Sequence, residues 1–272
     1  MAGLIWGNGM IGEKLGNIVL LFVALACSSI IWAQEGKTPS TEELKATSAR
    51  GRMLEEYDVA AWHATDAVEA LKPDHAAAPL YLAHKVGSKW EVVFGRMSPQ
   101  QDKFLIVYRA TEGTKETEFT AKKMDPPLGD RGFYFEAAKA MDTATKDFGN
   151  PGRPYNGYVL PSEDGQLYVY FLPGQTREGV FPLGGDVRYT VSLDGGTIVT
   201  KRQMHKTIVE AKSAPKDGQV AAGAHKHTDD DEIEDSDVFH VLNRTPLVPE
   251  YVGTPDQHLY EIKTDGSITR LR

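Results

Sequence analysis

Two histidines one residue apart, His225 and His227 in "AGAHKHTDDDEIEDSDVFHV" (221–240), are the side chains best placed to do chemistry in this chain. In an extended segment residues i and i+2 project from the same face, so the two imidazoles point the same way. Imidazoles placed like that can bind a divalent cation once a third ligand arrives from elsewhere. Asp237, His240, His205 and Glu210 are the residues able to supply it. The preceding "GQVAAGA" is small and apolar, which suits a strand ending at the motif.

The surroundings argue both ways. Seven of the ten residues 228–237 are acidic. Nearby carboxylates favour the protonated, non-ligating form of histidine, although the same negative field attracts cations. An acidic run usually reads as a solvated loop, and this one lacks the glycine and the ligand spacing of an EF-hand. Its charge is therefore assigned to solvent rather than to a ligand shell. Whether Asp237 turns back toward the histidines becomes the deciding contact, and this reading does not count the constellation as a working site.

Other constellations carry less. "PLGGDVRY" (182–189) reads as a turn entering a strand, without the strand-to-helix context of a phosphate loop. Trp62-His63 reads as core packing beside an exposed imidazole, and His75 and His84 have no evident partner. Tyr155, Tyr158, Tyr168, Tyr170 and Phe171 fit sheet core or cross-strand pairs, with an aromatic-lined groove as the alternative. There is no "GxSxG" elbow, and the single cysteine, Cys27, lies in the N-terminal apolar run. Serine-triad and thiol hydrolases are thus poorly supported.

The elements that must position these residues follow from periodicity. The stretch 38–71 contains a helix, with Leu54, Tyr57, Ala61, Trp62, Thr65 and Val68 near helical spacing and Lys72-Pro73 stopping it. Strands are expected at 79–86, 89–97 and 103–110, and a second helix at 133–148, closed by Gly149-Asn150-Pro151. The second half is β-rich: "YNGYVLP", "QLYVYFLP", "DVRYTVSL", "TIVTKRQ", "KTIVEA" and the hairpin "HLYEIKTDGSITRL". Asp-Gly pairs at 164–165, 194–195, 217–218 and 265–266 mark tight turns. The fold class is α+β: an antiparallel sheet meander with helices packed on one face, preceded by an N-terminal export segment. A single domain spans 51–272, with a subdivision near 151–154 as the alternative.

The C-terminal part, about 178–272, resembles the JAB/MPN-type zinc metallopeptidase domains. That family carries a His-x-His at a strand end, followed by a serine and an aspartate. The resemblance implies that His225, His227 and Asp237 hold zinc, that Ser236 is the neighbouring serine, and that Glu178 in "REGVFPLGG" is the general base. Two features depart from the family pattern: Thr228 replaces a proline, and Ser236 and Asp237 are adjacent rather than separated.

Composition bounds the rest. The 272 residues are 41% hydrophobic and 25% charged, as in globular proteins. The net charge of −8 is mostly local to the acidic run, and no basic face is evident, so nucleic acid is not an expected partner. Residues 15–33, "LGNIVLLFVALACSSIIWA", carry no charge and read as a signal peptide or membrane anchor (1–33), followed by a flexible tether (34–50). "VALAC" resembles a bacterial lipoprotein signal at Cys27, and cleavage after Ala33 competes with it. The mature chain then lacks disulfides and depends on packing. Together these point to an exported bacterial envelope or periplasmic protein, acting as a binding or interaction module for an unidentified ligand or envelope partner. Membrane association follows if the N-terminal segment is lipidated or uncleaved. The alternative is a zinc-dependent JAB/MPN-like peptidase.

Overall fold

The computed structural model describes residues 38–177, 179–212, 220–228 and 232–272. The N-terminal run expected to direct export, with Cys27 and Ala33, and the candidate base Glu178 lie outside the described residues.

The first described element is α1 (Thr41–Glu69), which takes up the last ten residues, 41–50, of the stretch assigned to the tether. The reason is local: Ser40 and Glu43 form a capping box, each side chain meeting the other's backbone N–H, at 3.2 and 2.6 Å. A meander follows: β1 (Leu80–Val86), β2 (Lys89–Met97), β3 (Phe104–Glu112) and β4 (Phe119–Asp130), antiparallel in chain order. β4 was not foreseen. It is an edge strand with Pro126 and Pro127 in it, and no residue of it is buried, so it carries no alternating apolar signal. The second helix, α2 (Phe133–Phe148), has the predicted bounds.

A second antiparallel sheet combines β5 (Tyr155–Pro161), β6 (Leu167–Pro173), β8 (Val187–Val191) and β9 (Ile198–Gln203), while β7 (Val180–Leu183) pairs with β10 (Val209–Lys212). The last sheet has β11 (Gly223–Lys226), β12 (Glu250–Gly253), β13 (Leu259–Ile262) and β14 (Ile268–Arg270) in that order. Between β11 and β12 runs α3 (Asp235–Asn243), and β11 and β12 are parallel as this crossover requires. The class is α+β as expected, with the strands divided among several sheets. Glycines of three Asp-Gly pairs, Gly165, Gly195 and Gly266, have φ of 71, 71 and 77°, the left-handed region that tight turns use. The pair at 217–218 lies outside the described residues.

Three apolar clusters hold these layers. Leu54, Tyr57, Ala61, Ala64 and Val68 on α1 pack with Trp90, Val92, Tyr158 and Tyr170 of the two large sheets. Ala137, Ala138, Met141 and Ala144 on α2 meet Val93, Ile106, Val169 and Tyr189. The aromatic strands 155–173 therefore build core rather than an open groove: Tyr158, Tyr170 and Phe171 are all buried. Trp62, expected in the core, is 65% exposed and stacks on His63.

The third cluster matters most for the site. Val238 and Val241 on α3 pack with Leu44 of α1 and with Val252, Tyr260 and Ile262 of the last sheet. Gly51 on α1 makes room for this crossing, since a Cβ there would lie 2.6 Å from the Asp235 carbonyl oxygen.

Candidate metal centre

His225 sits in the strand ladder of β11, paired with Val252, and His227, just past the ladder's end at Lys226, donates its backbone N–H to the Gly253 carbonyl at 2.9 Å. The two imidazoles share a face, with their Nε2 atoms 3.2 Å apart. Across them stands His205, just beyond β9, its Nε2 3.0 Å from that of His227. Asp237, in the first turn of α3, turns back toward all three. Its Oδ1 lies 3.3 Å from His205 Nε2 and 3.2 Å from His225 Nε2, and its Oδ2 lies 3.3 Å from His227 Nε2. The four ligand atoms lie within 4.8 Å of one another.

Those separations have a geometric meaning. Four donors arranged tetrahedrally at about 2.0–2.1 Å from one point are about 3.3 Å apart along each edge. Four of the six edges match: His205–His227 and His225–His227 between Nε2 atoms, and Asp237 Oδ1 to His205 and His225, all at 3.0–3.3 Å. Three imidazoles and a carboxylate suit a divalent transition ion such as zinc, copper, iron or nickel rather than calcium or magnesium.

Each imidazole is oriented from behind. His205 Nδ1 meets Asp186 Oδ1 at 2.8 Å, His225 Nδ1 meets Glu250 Oε1 at 2.9 Å, and His227 Nδ1 meets the Glu232 carbonyl at 2.7 Å. A neutral imidazole donating from Nδ1 presents its Nε2 lone pair inward, the arrangement second-sphere carboxylates impose in metal sites. The Asp237 carboxylate is fixed too, because Oδ2 accepts the Glu234 backbone N–H at 2.8 Å.

The charges are strongly coupled. Burial opposes protonation of His205, but the Asp237 and Asp186 carboxylates outweigh it and push its pKa up to about 11. His225 responds in the same way to Asp237 and Glu250, reaching about 9. Burial likewise opposes ionisation of Asp237, yet the imidazoles, His205 foremost, hold its carboxyl well below the usual carboxylate range. The cluster thus gains positive charge at its centre, and a metal ion and protons compete to supply it.

The local folding explains how distant residues arrive here. Gly184 and Gly185 take φ of 78 and 74°, and a Cβ on Gly184 would lie 3.1 Å from His205 Cβ. Asp186 follows that turn, as the "PLGGDVRY" reading expected, but it is fully buried, and its carbonyl accepts the Met204 N–H at 3.0 Å. This clamps the segment carrying His205 against the turn. At β11, a Cβ on Gly223 would collide with the Glu250 carboxylate, which pairs with Arg244 and orients His225.

The described C-terminal part of the acidic run corrects the solvated-loop expectation. Glu234, Asp235 and Asp237 are all buried. Asp235 accepts from Arg50 Nε at 2.9 Å, from the Tyr170 hydroxyl at 2.9 Å and from Arg188, tying α3 to α1, β6 and β8. Glu234 takes Arg202 of β9. Acidic side chains also suit the positive end of a helix, so the run that looked like a loop starts α3. Glu232 is exposed, and 229–231 lie outside the described residues.

The remaining candidates separate clearly. Glu210 pairs with Arg177, away from the cluster. Ser236 is buried with its hydroxyl 4.0 Å from Met204 Sδ. His240 lies one turn beyond Asp237, and its Nε2 has no hydrogen-bond partner among the described residues. Burial lowers its pKa and keeps it neutral. His205, His225, His227, Asp237 and His240 all line a cavity of about 500 Å³. Asp186 and Glu250 had no sequence signal, since nothing local marks a carboxylate that orients a histidine tens of residues away.

What the fold and site define is an α+β protein with a four-residue group able to hold a metal ion. No family model, curated protein or solved structure matches the chain.

Proposed function

We propose that the protein is a zinc-holding binding module of the bacterial cell envelope, with one ion held by His205, His225, His227 and Asp237. The observation that carries this reading is the convergence of three Nε2 atoms and one carboxylate within 4.8 Å of one another, with all three Nδ1 atoms anchored. Zinc fits because it takes imidazole and carboxylate donors in four-coordinate geometry. Export rests on the uncharged run at 15–33. Zinc content of the purified chain after loading and dialysis tests the metal: one ion per chain is expected, and the double variant His225→Ala, His227→Ala should retain less than a tenth of that. A folded wild-type chain that holds no zinc at neutral pH refutes it.

A second reading is hydrolysis at the same centre, as the resemblance to JAB/MPN peptidases implies. It is favoured by the β11–α3–β12 unit, which carries His-x-His at the end of a strand and Asp237 in the following helix. It requires a general base, the role expected of Glu178, and a coordination position beyond the one His205 takes. Zinc-dependent cleavage of a fluorogenic peptide pool, lost in Glu178→Gln, would establish it. A zinc-loaded protein inert toward the pool leaves the binding reading standing alone.

A further inference from the structure

The four donors are not equally enclosed. The side chains of His227 and Asp237 are 4% and 2% exposed, those of His205 and His225 17% and 29%. The rings show the same asymmetry. The His227 ring centroid lies 4.7 Å from that of His205 and 5.2 Å from that of His225, but His205 and His225 are 6.3 Å apart. His227 Nε2 and Asp237 Oδ1 each approach both of these outer imidazoles, at 3.0–3.3 Å. His227 and Asp237 therefore form the closed back of the centre, and the wider edge between His205 and His225 forms its front. Asp186 and Glu250 anchor the two outer rings from behind, which resists their swinging together across that edge.

The front has space to open into. Both outer imidazoles line the cavity of about 500 Å³, a volume within the range of about 300–1,000 Å³ usual for small-molecule sites. Leu183 of β7, Val209 and Ala211 of β10, Ala224 of β11 and Val241 of α3 contribute apolar walls. Val209 and Ala224 are exposed within this concave surface. Apolar walls beside one strong polar anchor suit a ligand that carries a single donor group on an apolar body.

We infer that an ion in this cluster keeps one exchangeable coordination position, at the His205–His225 edge. It takes one nitrogen or oxygen donor of a ligand whose apolar body lies in the cavity. With four protein donors the ion becomes five-coordinate, an expansion that zinc accommodates. This rests on the cluster holding an ion, as argued above.

Cobalt(II) makes the test optical, since its ligand-field bands report a change in coordination. The full chain, loaded with cobalt, is titrated with 1-methylimidazole and 1-butylimidazole, two donors of similar basicity that differ in apolar length. Both should shift the bands at unchanged cobalt content. The three extra methylene groups, each worth roughly fourfold on burial, should lower half-saturation at least tenfold for the butyl compound. Val209→Asp should weaken the butyl compound but not the methyl one. Ala224→Phe, which narrows the cavity from an exposed position, should weaken both at least fivefold. Bands that neither compound moves, or cobalt that both strip from the chain, show a centre with no exchangeable position and overturn the inference while sparing the metal site. Equal half-saturation for the two compounds, or affinities unchanged in Ala224→Phe, overturn the assignment of that position to the cavity. Failure to bind cobalt or zinc at all overturns the metal reading itself.

Discussion

Removal of the Asp186 carboxylate is the most instructive perturbation, because Asp186 touches the centre only through His205. Its Oδ1 lies 2.8 Å from His205 Nδ1, which places its charge about 7 Å from an ion bound on the far side of that ring. At an effective dielectric constant near 20, a divalent ion at that distance gains roughly 5 kcal/mol from the carboxylate. The competitor gains as well: an imidazolium proton on Nε2, somewhat nearer and singly charged, gains roughly 3 kcal/mol. The difference of about 2 kcal/mol corresponds to roughly 30-fold in affinity, within the range of about 10–100-fold typical of second-sphere partners. Asp186→Ala should therefore weaken zinc about 30-fold at pH 7 in competition with a chromophoric chelator. Asp186→Asn, whose amide oxygen can still accept from Nδ1, should lose affinity without misplacing the ring. Zinc affinity unchanged within threefold in Asp186→Ala, alongside a large loss in His205→Ala, would refute the claim that Asp186 orients and charges His205.

Other consequences are as direct. Asp235→Ala leaves the guanidinium groups of Arg50 and Arg188 without their shared carboxylate, and should cost about 3 kcal/mol in urea unfolding; a loss under 1 kcal/mol would show that the network relaxes around the gap. Gly51→Ala drives a methyl group into the α1–α3 crossing and should destabilise the fold by roughly 1–3 kcal/mol, with weaker zinc retention because α3 carries Asp237; wild-type stability would contradict the packing described. Acidity should act with a definite sign. His205 and His225 titrate above the ordinary histidine range, at about 11 and about 9, so their protonation stabilises the metal-free fold below about pH 6.5 and that stability is lost as pH rises through 9 to 11. In the presence of a chelator, unfolding free energy should fall between pH 8 and 11, and zinc should abolish the fall; equal pH profiles with and without zinc would sink this coupling.

The parts of the fold that were legible in the sequence are those whose burial leaves a periodic trace. The bounds of α2 and the strands 89–97 and 155–161 follow from apolar spacing, as does β6 to within one residue, and three Asp-Gly pairs sit at the turns they mark. β4 was invisible because an exposed edge strand with two prolines has no buried face. α3 was hidden for the opposite reason: its first turn is acidic, which resembles solvent-facing sequence, whereas Asp235 and Asp237 are buried against arginines and histidines contributed by other elements. The same long-range pairing separates the site into a legible and an illegible half. His225 and His227 announce themselves by i, i+2 spacing on a strand. His205 was one of four residues named for the third ligand, but no spacing singled it out: it stands twenty residues earlier, past β9, where the Gly184-Gly185 turn and Asp186 hold its segment.

X-ray absorption at the zinc edge of the loaded full-length chain tests the central claim most directly. The account predicts a first shell of nitrogen and oxygen at about 2.0–2.1 Å, with outer-shell scattering from three imidazoles and no sulfur. A shell with one imidazole or none, or zinc that washes away before the spectrum can be taken, would contradict it.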